Sequence, residues 1–158
     1  MLSDGNDGAV RIPATRHVRR SETVAEKRAR IVKFARKYHA NRWHIRYSQS
    51  RPSQLRWPRL MTASDCSGLV AAIMHHCKVR PQTDWRWTNT WIQIQFGHEV
   101  TLSSARPGDV VFYGTSRTNP THEALYLGDG KVLSNGSYPM GIYPVDYRRD
   151  RVMIRSFL

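Results

Sequence analysis

The sequence predicts an α+β fold in which N-terminal helices, one of them carrying a nucleophile, pack on an antiparallel β-sheet. Three observations point there. Helical periodicity is confined to the first half of the chain, strand signals to the second half, and two of those strands flank a two-residue turn, Asp129-Gly130. Helices first and strands later is the α+β pattern, and a short turn between strands makes them antiparallel neighbours.

The first helix begins near Ser21–Thr23, where Thr23 and Glu26 have capping-box spacing. Val24, Ile31, Ala35 and Tyr38 form its apolar stripe, and Lys27, Arg30, Lys33, Arg36 and Lys37 occupy the other faces. Residues 41–64 read as a long loop broken by Pro52 and Pro58. The second helix, 65–77, is the clearest element. Cys66, Leu69, Val70, Ile73, Met74 and Cys77 recur at helical spacing, and Ser64 or Asp65 caps its start. Residues 82–105 hold Trp85, Trp87 and Trp91, as core or cleft wall, with a short helix near 88–95. Strands follow at 109–113, 122–128, 131–136 and 151–157.

The chain has 158 residues, enough for one domain with a hydrophobic core. Residues 1–20 read as a flexible basic leader and 21–158 as a single domain. No apolar run approaches the roughly 20 residues that span a bilayer. The N-terminus, MLSDGNDGAVRIP, lacks the apolar core of a signal peptide. Action outside a cytoplasm then requires another route of release. Twenty-five Lys and Arg against twelve Asp and Glu give a net charge of +13. That field favours nucleic acid, anionic lipid or acidic wall polymers without choosing among them. The two cysteines are too few for a disulfide framework. On one helix they stand roughly 16 Å apart, so both are expected as free thiols.

Cys66 opens its helix within Ser64-Asp65-Cys66-Ser67-Gly68. A cysteine at a helix N-terminus meets the positive end of the helix dipole, which favours a thiolate nucleophile. Cys77, deeper in the apolar stripe, reads as structural. Of seven histidines, His75 and His76 lie too far down the same helix to serve Cys66. His122 starts a strand whose one face is His122, Ala124 and Tyr126, and small Ala124 leaves room for a helix end. Pairing Gly128 with Lys131 sets Ala124 opposite Asn135 and makes Asn135 the group that orients His122. A one-residue register slip would exchange the roles of Asn135 and Ser134.

These residues together resemble the NlpC family of cell-wall cysteine peptidases (the NlpC/p-sixty group), with its papain-like fold. Asp65-Cys66-Ser67-Gly68-Leu69-Val70 is similar to its nucleophile motif. Arg106-Pro107-Gly108-Asp109-Val110-Val111-Phe112 is similar to the turn and strand that follow. His122-Glu123-Ala124-Leu125-Tyr126-Leu127-Gly128 is similar to the strand that bears the base. The third catalytic residue of the family is often histidine; here the region reads Leu133-Ser134-Asn135-Gly136-Ser137. Of the family's Tyr-x-Trp-Gly-Gly stretch only Tyr47 answers.

The resemblance implies catalysis by Cys66, His122 and Asn135, an oxyanion contact from Tyr47, and contacts from Asp65 and Ser67 to the polar end of a peptide stem. It implies a peptidoglycan endopeptidase without metal or cofactor, cutting a γ-D-glutamyl–diaminopimelate or neighbouring bond through an acyl-enzyme. A basic catalytic domain without a signal peptide is similar to bacteriophage lysins. Such a monomer would be made in the host cytoplasm and reach the wall by holin-type release or on a virion. Two rival readings stand beside it: a non-catalytic, basic wall- or nucleic-acid-binding protein, and a thiol amidase or acyltransferase on the same fold.

Overall fold

The computed structural model describes residues 20–50, 62–79, 88–136 and 139–158. The expected leader up to residue 19, and Pro52, Pro58, Trp85 and Trp87, lie outside the described residues. Helix α1 spans Val24–Ala40 and is followed by a 3-10 turn at Arg42–His44. Short strands β1 (Arg46–Tyr47) and β2 (Ala63–Ser64) pair in parallel. Helix α2 (Cys66–His76) and the single turn α3 (Thr90–Gln93) precede β3 (His98–Glu99) and a 3-10 turn at Leu102–Ser104. Strands β4 (Val110–Ser116), β5 (Asn119–Gly128), β6 (Lys131–Ser134), β7 (Gly141–Pro144) and β8 (Arg151–Ser156) complete the chain. The main sheet runs β3-β8-β4-β5-β6-β7 with every pair antiparallel, as the α+β reading expects.

Helix α1 starts where the sequence marks it. The Thr23 hydroxyl accepts from the Glu26 N–H at 3.1 Å, and the Glu26 carboxylate accepts from the Thr23 N–H at 2.8 Å. Such a cap stabilises a helix by about 1 kcal/mol. Ile31, Phe34, Ala35 and Tyr38 are buried, whereas Val24 is exposed. Val24 is the first residue of the helix, a turn and more before the buried stripe begins. Helix α2 is capped by Asp65, whose carboxylate accepts from the Gly68 N–H at 2.8 Å. Nine successive residues of α2, Cys66–Met74, are buried, more than the one apolar face of the sequence pattern. Ser67, Gly68, Ala71 and Ala72 are small, which lets neighbouring segments close on that side.

The Arg106–Asp109 turn locks α1 to the sheet. Asp109, almost fully buried, accepts from the Arg106 N–H at 2.8 Å and from Arg28 Nη1 at 2.8 Å. Arg28 also reaches the Pro107 carbonyl and Ser156 Oγ. Gly108 has φ +96°, and a Cβ there would meet Ile31 Cδ1 at 3.2 Å. The turn therefore needs glycine for both its backbone and its approach to α1.

The sheet is buried on both faces. Val110, Phe112, Leu125 and Leu133 join the helices in one core, and Val111, Tyr113, Ala124, Tyr126, Val132 and Ile154 form a second on the other face. Ala124 therefore faces away from the helices, contrary to the expectation that it makes room for α2. Cys66 and Cys77 are both free thiols. Among the described residues, no helix is long and apolar enough to cross a membrane.

Candidate active site

Cys66 is the first residue of α2 and is buried, with its Sγ 3.8 Å from the Thr90 hydroxyl. Two connections fix this point of the chain. Strand β1 sets Tyr47 beside Ser64, and Gln93 Nε2 donates to the Ser67 carbonyl at 3.0 Å. The Ser67 hydroxyl donates to the Asp65 carboxylate at 3.2 Å. Cys66, His122, Tyr47, Asp65 and Ser67 all line one open cleft, with Arg148 at its His122 side. The sequence thus assembles five of its six candidates around one cleft.

His122 is buried in β5, opposite Tyr113 of β4, where the pairing shifts register immediately afterwards. Such a bulge re-aims the adjacent side chain. Its Nε2 lies 2.8 Å from Ser134 Oγ and 3.1 Å from Tyr147 Oη, and these two hydroxyls are 2.9 Å apart. Nδ1 has no described partner. Gly136 covers the ring: a Cβ there would stand 2.6 Å from His122 Cε1.

Asn135 does not orient His122. Its Nδ2 donates to Ser64 Oγ at 2.8 Å and to the Ser64 carbonyl at 3.1 Å, two residues before Cys66. The cause is a one-residue slip. Gly128 pairs with Lys131 as expected, but a register shift lies between Tyr126 and Gly128, so Leu125 pairs with Leu133. That slip turns Ser134 to the His122 face and Asn135 to α2. Tyr147 carries no signal in the sequence. It lies in the β7–β8 connection, where no periodicity marks a position.

Protonation also departs from expectation. Burial, with a further contribution from the Glu123 charge, pushes the Cys66 thiol up to about 11, against the Glu123 N–H and the Thr90 hydroxyl that favour the thiolate. Desolvation therefore outweighs the two hydrogen bonds to the sulfur. Burial and the Arg148 charge push His122 down to about 4. Hydroxyls, unlike a carboxylate, do not hold an imidazolium. At neutral pH Cys66 is therefore a thiol and His122 a neutral imidazole.

The sign of the pH dependence follows. His122 gains a proton only near pH 4, and Cys66 loses its proton only near 11. We expect kcat/KM to be level from about pH 5 to 10. We expect Cys66 alkylation by iodoacetamide to be slow at about pH 6 and to accelerate above about pH 9. Rapid alkylation under the mildly acidic condition would show a resting ion pair instead.

Residues 46–149 match the NlpC/P60 family, about two thirds of the chain. The chain belongs to the NlpC/P60 family. Over 60 residues it is 33% identical to the gamma-DL-glutamyl hydrolase of Bacillus subtilis (strain 168), covering 36% of this chain but only 14% of that protein. Among solved structures it is similar to NlpC2 of Trichomonas vaginalis (TM-score 0.65, 17% identity, 87% of this chain and 48% of that one). It is also similar to the peptidoglycan hydrolase RipB of Mycobacterium tuberculosis (0.59, 22%, 100% and 74%). A third is RipD of Mycobacterium tuberculosis, a non-catalytic NlpC/p60 domain protein adapted to peptidoglycan binding (0.58, 19%, 81% and 98%). At these identities the structures establish the shared fold. The NlpC/P60 domain here carries both Cys66 and His122.

Proposed function

We propose that this NlpC/P60 protein is a peptidoglycan endopeptidase that hydrolyses a stem-peptide amide, the γ-D-glutamyl–diaminopimelate bond or its neighbour. The observation that supports it is the cleft in which Cys66, at a helix start, and His122, with only Nδ1 unengaged, stand together. His122 Nδ1 takes the thiol proton as Sγ attacks the carbonyl carbon. The oxyanion is held by the Cys66 N–H and Tyr47. His122 then returns the proton to the leaving amine, and water, deprotonated by His122, hydrolyses the thioester. Asp65 and Ser67 border the polar end of the acyl half. Ser134 and Tyr147 accept or share the Nε2 hydrogen and keep the ring in place.

The test is digestion of purified diaminopimelate-type peptidoglycan by the wild type and by Cys66→Ala, with products identified by mass spectrometry. New stem-peptide fragments from the wild type alone name the bond. Intact wall in both would overturn the hydrolase assignment and favour the second reading, a wall- or nucleic-acid-binding protein. The +13 charge and the neutral resting pair favour that second reading. A product joined to an added amine would indicate acyl transfer.

The charge has its own role in the proposal. Lys33, Arg36 and Lys37 on α1 and Arg46 on β1 are exposed. This surface would hold the protein on anionic wall polymers, in a bacteriolytic role of the endolysin type. Wall retention is expected to fall about ten-fold or more between roughly 50 and 500 mM salt, measured by co-sedimentation. Retention unchanged by salt would remove the charge from the binding.

A further inference from the structure

A second cavity, about 260 Å³, adjoins the cleft beyond His122. Among the described residues it is lined by His122, Ser134, Gly136, Tyr143, Tyr147 and Arg148, and Cys66 does not border it. Its volume lies below that of sites that enclose drug-sized ligands and suits a single amino-acid residue. Arg148 borders both this cavity and the cleft.

Arg148 is held ready. Asp150 accepts Nε at 2.9 Å and Nη2 at 2.6 Å, and the guanidinium lies 5.6 Å from the centre of the Tyr113 ring. This fork uses one edge of the guanidinium, and Nη1 has no described partner. A fixed guanidinium with an open edge, half-buried beside a small cavity, is built to receive an anion.

The chemistry of the reaction says which part of the substrate lies there. His122 must hand its proton to the leaving nitrogen, so the leaving residue sits over His122. The acyl half lies toward Cys66, Asp65 and Ser67. What extends past His122, away from Cys66, therefore belongs to the leaving residue, which branches there into its side chain and its own carboxyl; only the side chain differs between wall types.

Resting on the endopeptidase reading, we infer that the Arg148 cavity is the leaving-residue subsite and that Arg148 selects an ionised carboxylate on that residue's side chain. Diaminopimelate carries such a carboxylate at its far centre. Lysine has the same chain without it. In walls where the carboxylate is amidated, the charge is gone. Arg148 thus sets specificity through the leaving residue, and because its charge also acts on the adjoining His122, the selectivity ratio rather than the rate reports on the subsite.

The test uses three synthetic peptides: L-alanyl-γ-D-glutamyl-meso-diaminopimelate, the same peptide with the far carboxyl as carboxamide, and the L-lysine peptide. The wild type is expected to favour the free carboxylate by about 10- to 100-fold in kcat/KM. Arg148→Met is expected to bring that ratio to about one, and Arg148→Lys to restore part of it. Because each ratio is taken on one enzyme preparation, a partly unfolded variant does not distort it. A wild type that cleaves all three equally would overturn the subsite and leave the endopeptidase reading standing. So would an Arg148→Met that slows every peptide by the same factor, which would mark Arg148 as a positioning residue for His122. Failure to cleave any peptide, with peptidoglycan also intact, would overturn both.

Discussion

Replacing Cys66 by serine is expected to lower kcat/KM on stem peptides by at least about 10³-fold without loss of the fold. Serine nearly matches the cysteine in shape, and both Thr90 and the Glu123 N–H remain beside it. What disappears is acidity. An imidazole held near a pKa of 4 is a weak base, adequate for a thiol at about 11 only because sulfur is a soft, reactive nucleophile. An alcohol lies several further orders of magnitude from such a base. The measurement is peptide turnover by chromatography, with the thermal midpoint of the variant as a control. Retained turnover in a folded Cys66→Ser would exclude Cys66 as nucleophile. Cys77, fully buried at the far end of α2, could not replace it.

Gly136→Ala is expected to lower kcat by about 10²-fold while the melting temperature changes little. The new methyl would stand 2.6 Å from His122 Cε1, closer than a side-chain carbon approaches any neighbour. A flexible, exposed ring could swing aside at small cost. His122 is buried and tied through Nε2 to Ser134 and Tyr147, so displacement breaks those contacts and carries Nδ1 away from Cys66. A displaced ring would also alter the alkaline onset of Cys66 alkylation, which separates this cause from a loss of substrate binding. A Gly136→Ala variant with full kcat would mean that the ring tolerates another seat.

The helices, the sheet and the two residues that meet in the cleft, Cys66 and His122, were legible because each is written in local pattern. Cys66 falls on a helical stripe after a capping residue, His122 falls on an alternating strand, and Gly108 stands in a turn that only glycine fits. The partner of His122 was not legible in the same way. Strand alternation assigns faces correctly only while pairing stays in register, and the irregularity between Tyr126 and Gly128 adds one residue to one strand. Nothing local distinguishes that case from a plain hairpin, since Gly128, Asp129 and Gly130 all have positive φ in the folded chain. Tyr147 reaches the ring from a connection with no period. The protonation of the pair escapes the sequence for another reason. The helix dipole is visible in sequence as a position, whereas desolvation depends on what closes over the sulfur.

Two adjacent residues, Ser134 and Asn135, end up serving opposite sides of the cleft. Ser134 touches His122, and Asn135 grips Ser64, two residues ahead of Cys66. The end of β6 therefore works as a gauge: one peptide unit sets the spacing between two groups brought together from a helix and a sheet. The distance between the start of α2 and the His122 ring is thereby referred to one short stretch of backbone rather than to the packing of the two layers alone.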